Sequence, residues 1–270
     1  RPDTAMPCSA GLNMLLDDGD TVDYILYGRD NRPLAVIEYT TTTKNIVEGR
    51  MKAIDKANKL SVKLGYKPVV YYTNGYHIYV IDQLGYKPRR VFQFHTIEEL
   101  ELLKLRATMR LDISTPAIDE NIAGRDYQKQ AITNACRAFM QNRRHALLVM
   151  ATGTGKTRVS IATVDVLMKA NWVKNVLFLA DRTSLVRQAH KNFNKLLPNV
   201  TTSVYSGGSL NRDPNARIIF STYQTMIHCI DSAKDENGGK LYTVGHFDLI
   251  VCDEAHRSIY NKYKDIFTYF

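Results

Sequence analysis

No apolar run in these 270 residues approaches the ~20 that a membrane-spanning helix requires, so no such helix is expected. The opening residues Arg1, Pro2, Asp3 and Thr4 lack the charged-then-apolar layout of a secretory signal. Cysteine is scarce. Cys8, Cys136, Cys229 and Cys252 stand far apart, without the spacing of a metal site or a disulfide framework. Cys252 falls in an apolar run expected to be buried, which places the chain in a reducing cytoplasm. The eight prolines are ordinary for a globular protein. No internal repeat is present, and no low-complexity tract beyond the threonines 40–43, so repeat architectures do not apply. Acidic residues are in deficit. The net charge is +9 and the pI near 9.3, which suits either a polyanionic partner or a merely solvated basic surface. The excess is uneven: residues 1–115 carry 16 Lys and Arg against 14 Asp and Glu, and residues 116–270 carry 20 against 13.

The length allows about two domains. The first hundred residues read as α+β. Runs 24–27 and 34–39 are β-rich and are joined by 28–33, whose residues favour a turn. A helix is expected over 47–64, with Val47, Met51, Ile54, Ala57, Leu60 and Leu64 at helical spacing. Lys52, Lys56, Lys59 and Lys63 line its opposite face, as a solvated stripe or as a DNA-tracking one. Strands 69–72 and 77–81 flank Asn74-Gly75, a strong hairpin signal. Thr96 and Glu99 match a capping box, so a helix to about Met109 is expected to lead out of this domain. The less periodic stretch 111–123, containing Pro116, reads as linker. From Ile122 onward strand and helix alternate as in a parallel α/β sheet, with strands expected at 145–150, 175–180, 201–205, 216–222 and 247–253.

The chemistry concentrates at two of those strand ends. Ala151, Thr152, Gly153, Thr154, Gly155, Lys156 and Thr157 follow the apolar run 145–150 and open a helix-patterned stretch. A Gly-rich loop delivered to a helix N-terminus presents backbone N–H groups to a polyphosphate. Lys156 then reaches the β- and γ-phosphates, and the Thr157 hydroxyl ligates Mg²⁺. The strict pattern wants glycine where Met150 stands. About a hundred residues later the run 247–252 ends in Asp253, Glu254, Ala255 and His256, with one carboxylate for the metal and one for the attacking water. Arg125 and Gln128 precede the loop, and a Gln amide can read an adenine edge. Arg182, Ser221 and Thr222 close two further apolar runs, where they suit DNA backbone phosphates or simple strand capping.

These motifs resemble the motor of superfamily 2 helicases and translocases of the DEAH type. Stretches 150–158, 170–174 and 256–263 make 122–270 look more narrowly like the motor of the R subunit of type I restriction–modification enzymes. The resemblance implies an α/β architecture: a restriction-endonuclease-like α+β domain over 1–95, a helical linker over 96–121, and the first RecA-like lobe over 122–270. It implies ATP and Mg²⁺ as cofactors, double-stranded DNA as substrate, and methyltransferase and specificity subunits as partners. In that family the N-terminal domain is a metal-dependent nuclease of the PD-(D/E)xK kind. Asp23 and Glu38 match its two metal-binding carboxylates. Thr40 stands where its lysine belongs, and Lys52 and Lys56 stand where a Gln and a Tyr would be. Lys44 has the right parity but lies ~20 Å farther along an extended strand. Cleavage is therefore expected to be impaired or absent. The sequence ends at Phe270, before the Ser-Ala-Thr-type element and second lobe of such motors, so little turnover is expected of this piece. The alternatives are a DEAH-type helicase of repair or RNA metabolism, and a non-catalytic nucleotide- and DNA-binding fragment.

Overall fold

The structure is a computed structural model that describes residues 10–16, 19–41, 46–208, 213–235, 238–255 and 263–270. Contacts divide it into two units, Arg1–Met109 with Thr243–Gly245, and Arg110–Tyr242 with His246–Phe270.

The first unit runs β1 (Ala10–Leu15), β2 (Thr21–Tyr27), β3 (Pro33–Tyr39), α1 (Ile46–Leu64), β4 (Val69–Thr73), β5 (Ile78–Ile81), β6 (Arg89–Val91) and α2 (Ile97–Met109). Its six described strands lie in sequence order, and of their five pairings one, β3 with β4, is parallel. A parallel pair needs a crossover, and α1 is that connection. Strand β3 reads as a continuous apolar run because both its faces are covered. Ala35 and Ile37 pack toward Leu100 of α2. Val36 packs toward Ala53, Ala57 and Leu60 of α1. By strand parity Glu38 shares the α1 face with Val36.

Local signals account for the connections. The Asn74 side chain accepts hydrogen bonds from the Tyr76 and His77 amides at 3.1 and 2.9 Å, and Gly75 takes φ +86°. Thr96 and Glu99 form the capping box, with backbone-to-side-chain bonds of 2.8 and 3.3 Å. The helix they start, α2, covers one face of the sheet instead of leading away from it, because Leu100 is drawn into that core. Met51 is exposed, so the apolar face of α1 is narrower than its periodicity suggests. Strands β1 and β6 were not legible; β6 holds two arginines in three residues.

The second unit runs α3 (Asp126–Met140), α4 (Lys156–Lys169), β7 (Val176–Ala180), α5 (Thr183–Leu196), β8 (Thr202–Val204), β9 (Ile218–Thr222), α6 (Tyr223–Ser232), β10 (Leu249–Cys252) and α7 (Lys264–Tyr269). Its described strands pair in parallel in the order β10-β7-β9-β8. Phe178, Phe193 and Phe220 meet edge-on or tilted in its core. Residues 111–123 form neither helix nor strand but are packed down. Ile113 and Ile122 are buried, and the Leu111 carbonyl accepts from the Trp172 indole N–H at 2.8 Å. The Arg110 guanidinium lies 4.2 Å from the same ring, a cation–π contact.

One expected strand is absent. Residues 145–150 form no ladder, and Leu147 and Val149 are 79% and 88% exposed. A strand needs a neighbour for its backbone donors and acceptors. Among the described residues, none pairs with this run or with the outer edge of β10.

Candidate active sites

The phosphate loop is shaped by two glycines in left-handed conformations, Gly153 at φ +79° and Gly155 at φ +91°. Between them the Thr154 amide and hydroxyl turn back to the Ala151 carbonyl at 3.4 and 2.7 Å. Gly155 is the N-cap of α4, and no side chain caps that end. The leading N–H groups of α4, with the positive end of its dipole, are thus left for an anion. Thr152 is exposed on the loop, and Thr157 occupies the first turn of α4 beside Lys156.

Helix α3 fixes the loop from behind. The buried Gln128 donates through Nε2 to the Thr154 carbonyl at 2.9 Å, and the Tyr127 hydroxyl donates to the same oxygen at 3.0 Å. The Gln128 Oε1 accepts from the Arg125 amide at 3.4 Å. Its amide is therefore engaged at both ends with protein groups. A cavity of about 410 Å³ opens here, lined by Gly124, Arg125, Gln128, Arg158 and the loop. That volume lies in the range of small-molecule sites.

The acidic motif arrives at the same place. The Asp253 amide continues the parallel ladder by donating to the Leu179 carbonyl at 2.9 Å. Glu254 then turns at φ +53°. Its Oε1 lies 3.3 Å from Lys156 Nζ, an ion pair between residues 98 apart in sequence. Asp253 accepts from the Glu254 amide at 3.1 Å, and its carbonyl accepts from the Tyr223 hydroxyl at 3.2 Å. Burial pushes the Tyr223 hydroxyl well above the usual phenol range and the neighbouring Cys252 thiol up to about 11. Among the described residues no group of three or more His, Cys, Asp or Glu side chains is placed to hold a metal. Mg²⁺ needs no such cage, since it keeps several waters and takes one or two carboxylates beside phosphate oxygens. His256 lies outside the described residues.

Three further candidates sit at strand ends. Arg182 is exposed and precedes α5. Thr222 caps α6, its hydroxyl accepting from the Thr225 amide at 3.2 Å. Ser221 requires a correction. It is fully buried, and its hydroxyl donates to the Tyr205 carbonyl at 3.0 Å, so its side chain is not exposed for a backbone phosphate.

A second cluster forms in the first unit. One step past the Tyr24–Ile37 pair, Asp23 of β2 lies opposite Glu38 of β3. Asp23 Oδ2 accepts from the Tyr39 amide at 2.8 Å, and Glu38 Oε1 accepts from the Asp23 amide at 3.4 Å. Lys56 of α1 reaches the same Glu38 oxygen at 2.5 Å. Burial raises the Glu38 pKa, against the lowering effect of the Lys56 ammonium. The lysines of α1 are thus not one stripe. Lys52 is exposed and Lys59 pairs with Asp20 and Asp55, whereas Lys56 is 9% exposed and turned inward. Thr40 is buried at the end of β3 against Gly49 of α1. Lys44 lies outside the described residues. The sequence reading placed Asp23 and Glu38 together and, by resemblance alone, set Lys56 where a Tyr of the same centre would be, but it did not anticipate the ion pair with Glu38.

A sequence profile described as the type III restriction enzyme res subunit matches residues 121–270. The chain belongs to this family. Among the relatives of this chain, the EcoAI type I restriction enzyme endonuclease subunit of Escherichia coli is 30% identical over 266 residues. That match covers 93% of the chain and 32% of the relative, so the chain spans about a third of its length. The EcoKI endonuclease subunit of Escherichia coli strain K12 is 34% identical over 138 residues, 49% of the chain and 11% of that subunit. Among solved structures, a fragment of an HsdR subunit of a type I restriction enzyme from Vibrio vulnificus matches with 24% identity and a TM-score of 0.40. It covers 94% of the chain and 48% of the fragment.

Proposed function

We propose that the chain is the nuclease-and-motor portion of the R subunit of a type I restriction–modification enzyme. Its parts are a nuclease-like domain that takes in α2 and the first RecA-like lobe over 122–270, so the linker expected over 96–121 narrows to the residues after Met109. The observation that carries the reading is the meeting of Lys156 with Glu254, which joins the phosphate loop to the acidic motif. The family match and the type I relatives support the same assignment.

In this reading ATP lays its polyphosphate on Gly153, Gly155 and the leading amides of α4, with its base in the cavity beside Gln128. Reading the adenine edge requires the Gln128 amide to let go of Thr154. The uncapped helix end, the open space at Gly153 and the Lys156 ammonium fit a triphosphate. Thr157 and Asp253 would hold Mg²⁺, which supplies charge neutralisation at the phosphate oxygens. Lys156 moves from Glu254 to the phosphates, and this frees Glu254 to take a proton from the attacking water. The water oxygen bonds to the γ-phosphorus as the bond to the β–γ bridging oxygen breaks.

Double-stranded DNA is the polyanion that the net charge of +9 suits, with Arg182 and Thr222 as backbone contacts. Methyltransferase and specificity subunits complete the enzyme in the cytoplasm. No described helix is long and apolar enough to cross a membrane. In the first unit Asp23 and Glu38 are the carboxylates of a nuclease centre. Asp23 Oδ1 and Glu38 Oε2 take no hydrogen bond from a described residue and are oriented by neighbours that use the other oxygens. Such a donor pair fits Mg²⁺, which would activate water there.

Isothermal titration of ATP–Mg²⁺ into wild type and Lys156→Ala tests the motor assignment. A charged hydrogen bond is worth ~1.5–3 kcal/mol, so the variant is expected to bind at least about tenfold more weakly. Equal affinities would overturn it.

A further inference from the structure

The carboxylate centre contains an ammonium group from a place the strand pattern does not provide. Lys56 and Glu38 are 18 residues apart, their side chains are 11% and 5% exposed, and Nζ stands 2.5 Å from Oε1. Removing two opposite charges from water costs several kcal/mol per ion, and an apolar pair of the same volume usually serves stability as well or better. Packing alone therefore gives little reason for a lysine at this position. Its flanking α1 residues, Ala53, Ala57 and Leu60, show what a purely structural contact with this sheet looks like.

The geometry also accounts for Thr40. Position 40 shares the α1 face with Glu38, and a lysine there would have to pass between β3 and α1. That space is tight at Gly49. A methyl group added at Gly49 would come within 2.1 Å of the Thr40 hydroxyl, so the first turns of α1 rest directly on the end of β3. Gly49 and Lys56 are seven residues apart, two helical turns along one face. One face of one helix thus presses on the position that lacks a lysine and delivers a lysine to the carboxylate beside it.

We propose that Lys56 is the lysine of the carboxylate centre, carried on α1 instead of at strand position 40, so that the loss of cleavage expected from Thr40 does not follow. This rests on the nuclease reading of Asp23 and Glu38 given above. In hydrolysis a water oxygen bonds to phosphorus, the bond from phosphorus to one bridging sugar oxygen breaks, and that oxygen leaves with a proton. Negative charge grows on the non-bridging oxygens meanwhile. The Lys56 ammonium, released from Glu38, meets that charge.

The experiment uses the full chain with supercoiled plasmid, and measures Mn²⁺ binding by electron paramagnetic resonance alongside Mn²⁺-dependent nicking. With nucleotide left out, so that the Thr157 and Asp253 site lacks its phosphate ligands, wild type is expected to bind Mn²⁺ through Glu38 and to nick, and Glu38→Ala to lose both that binding and the nicking. Lys56→Met is expected to bind Mn²⁺ at least as tightly as wild type, since a competing cation is gone. It should nick about 100-fold more slowly, the usual scale for losing one charge-stabilising group. Wild-type nicking by Lys56→Met would make the lysine structural and overturn the proposal, with the carboxylate centre intact. Mn²⁺ binding by wild type without nicking would overturn it equally. Failure of wild type to bind Mn²⁺ through Glu38 would bring down the nuclease reading itself, and the proposal with it. Thermal melting checks each variant, and if Lys56→Met does not fold, Lys56→Gln decides by the same two readings.

Discussion

Gly155 carries two constraints at once. Its φ of +91° is costly for any residue with a Cβ, and that Cβ would stand 2.5 Å from Gln128 Nε2. Gly155→Ala should therefore strain the backbone and also push Gln128 off the Thr154 carbonyl. The expected result is a loss of ~2–3 kcal/mol in urea unfolding together with at least tenfold weaker ATP–Mg²⁺ binding. Gly153→Ala is the control, since a Cβ there meets nothing within 4 Å. It should cost only the ~1–2 kcal/mol of the left-handed conformation. Equal effects of the two variants would show that Gln128 does not brace the loop. At this scale the sequence was informative where chemistry is local. Glycines ahead of Lys156, and Asp253 and Glu254 after an apolar run, announce themselves by spacing. The ion pair of Lys56 did not: the resemblance marked its position as a departure from the family, spacing made it one of four lysines on a helix, and its partner lies on another element. Ser221 failed for the related reason that a polar residue at a strand end looks alike whether it faces solvent or a buried carbonyl.

Elements follow the same division. The hairpin at Asn74-Gly75, the capping box at Thr96 and the amphipathic α1 are set by nearby residues, and each formed where its pattern lies. The run 145–150 has the apolar composition of a strand, but composition cannot supply a ladder partner. Hydrogen exchange should make the contrast measurable. Amides of 145–150 are expected to exchange orders of magnitude faster than those of β7, which is paired on both sides by β9 and β10. Protection of 145–150 comparable to that of β7 would mean the run is hydrogen-bonded after all.

For the second unit as a whole, the buried Cys136 thiol and the half-buried Cys252 thiol are the first groups to set an alkaline limit. The raised Tyr205 and Tyr223 phenols add to it above pH 10. Burial pushes Cys136 and Cys252 up to about 11, from an ordinary value near 9. On unfolding each thiol regains its ordinary value, so above pH 9 the unfolded chain releases protons that the folded unit keeps. Stability is therefore full below about pH 9 and falls as pH climbs toward 11, by at most ~1.4 kcal/mol per pH unit for each thiol. Urea midpoints measured from pH 8 to 11 should decline, and Cys136→Ala should flatten the decline after allowance for its lost packing. An unchanged slope would remove Cys136 as a cause.

The single tryptophan of the chain is Trp172, buried between the 111–123 stretch and the core of the second unit with Arg110 over its ring. Indole emission is consequently a private reporter. Selective excitation of Trp172 follows the loosening of one unit alone, while far-ultraviolet dichroism averages over both. If the units melt independently, the two signals give midpoints that do not coincide; coincident curves would instead mark the pair as one cooperative body. Release of the indole N–H from the Leu111 carbonyl would also shift the emission to the red, which makes the packing of the connecting segment visible without any label.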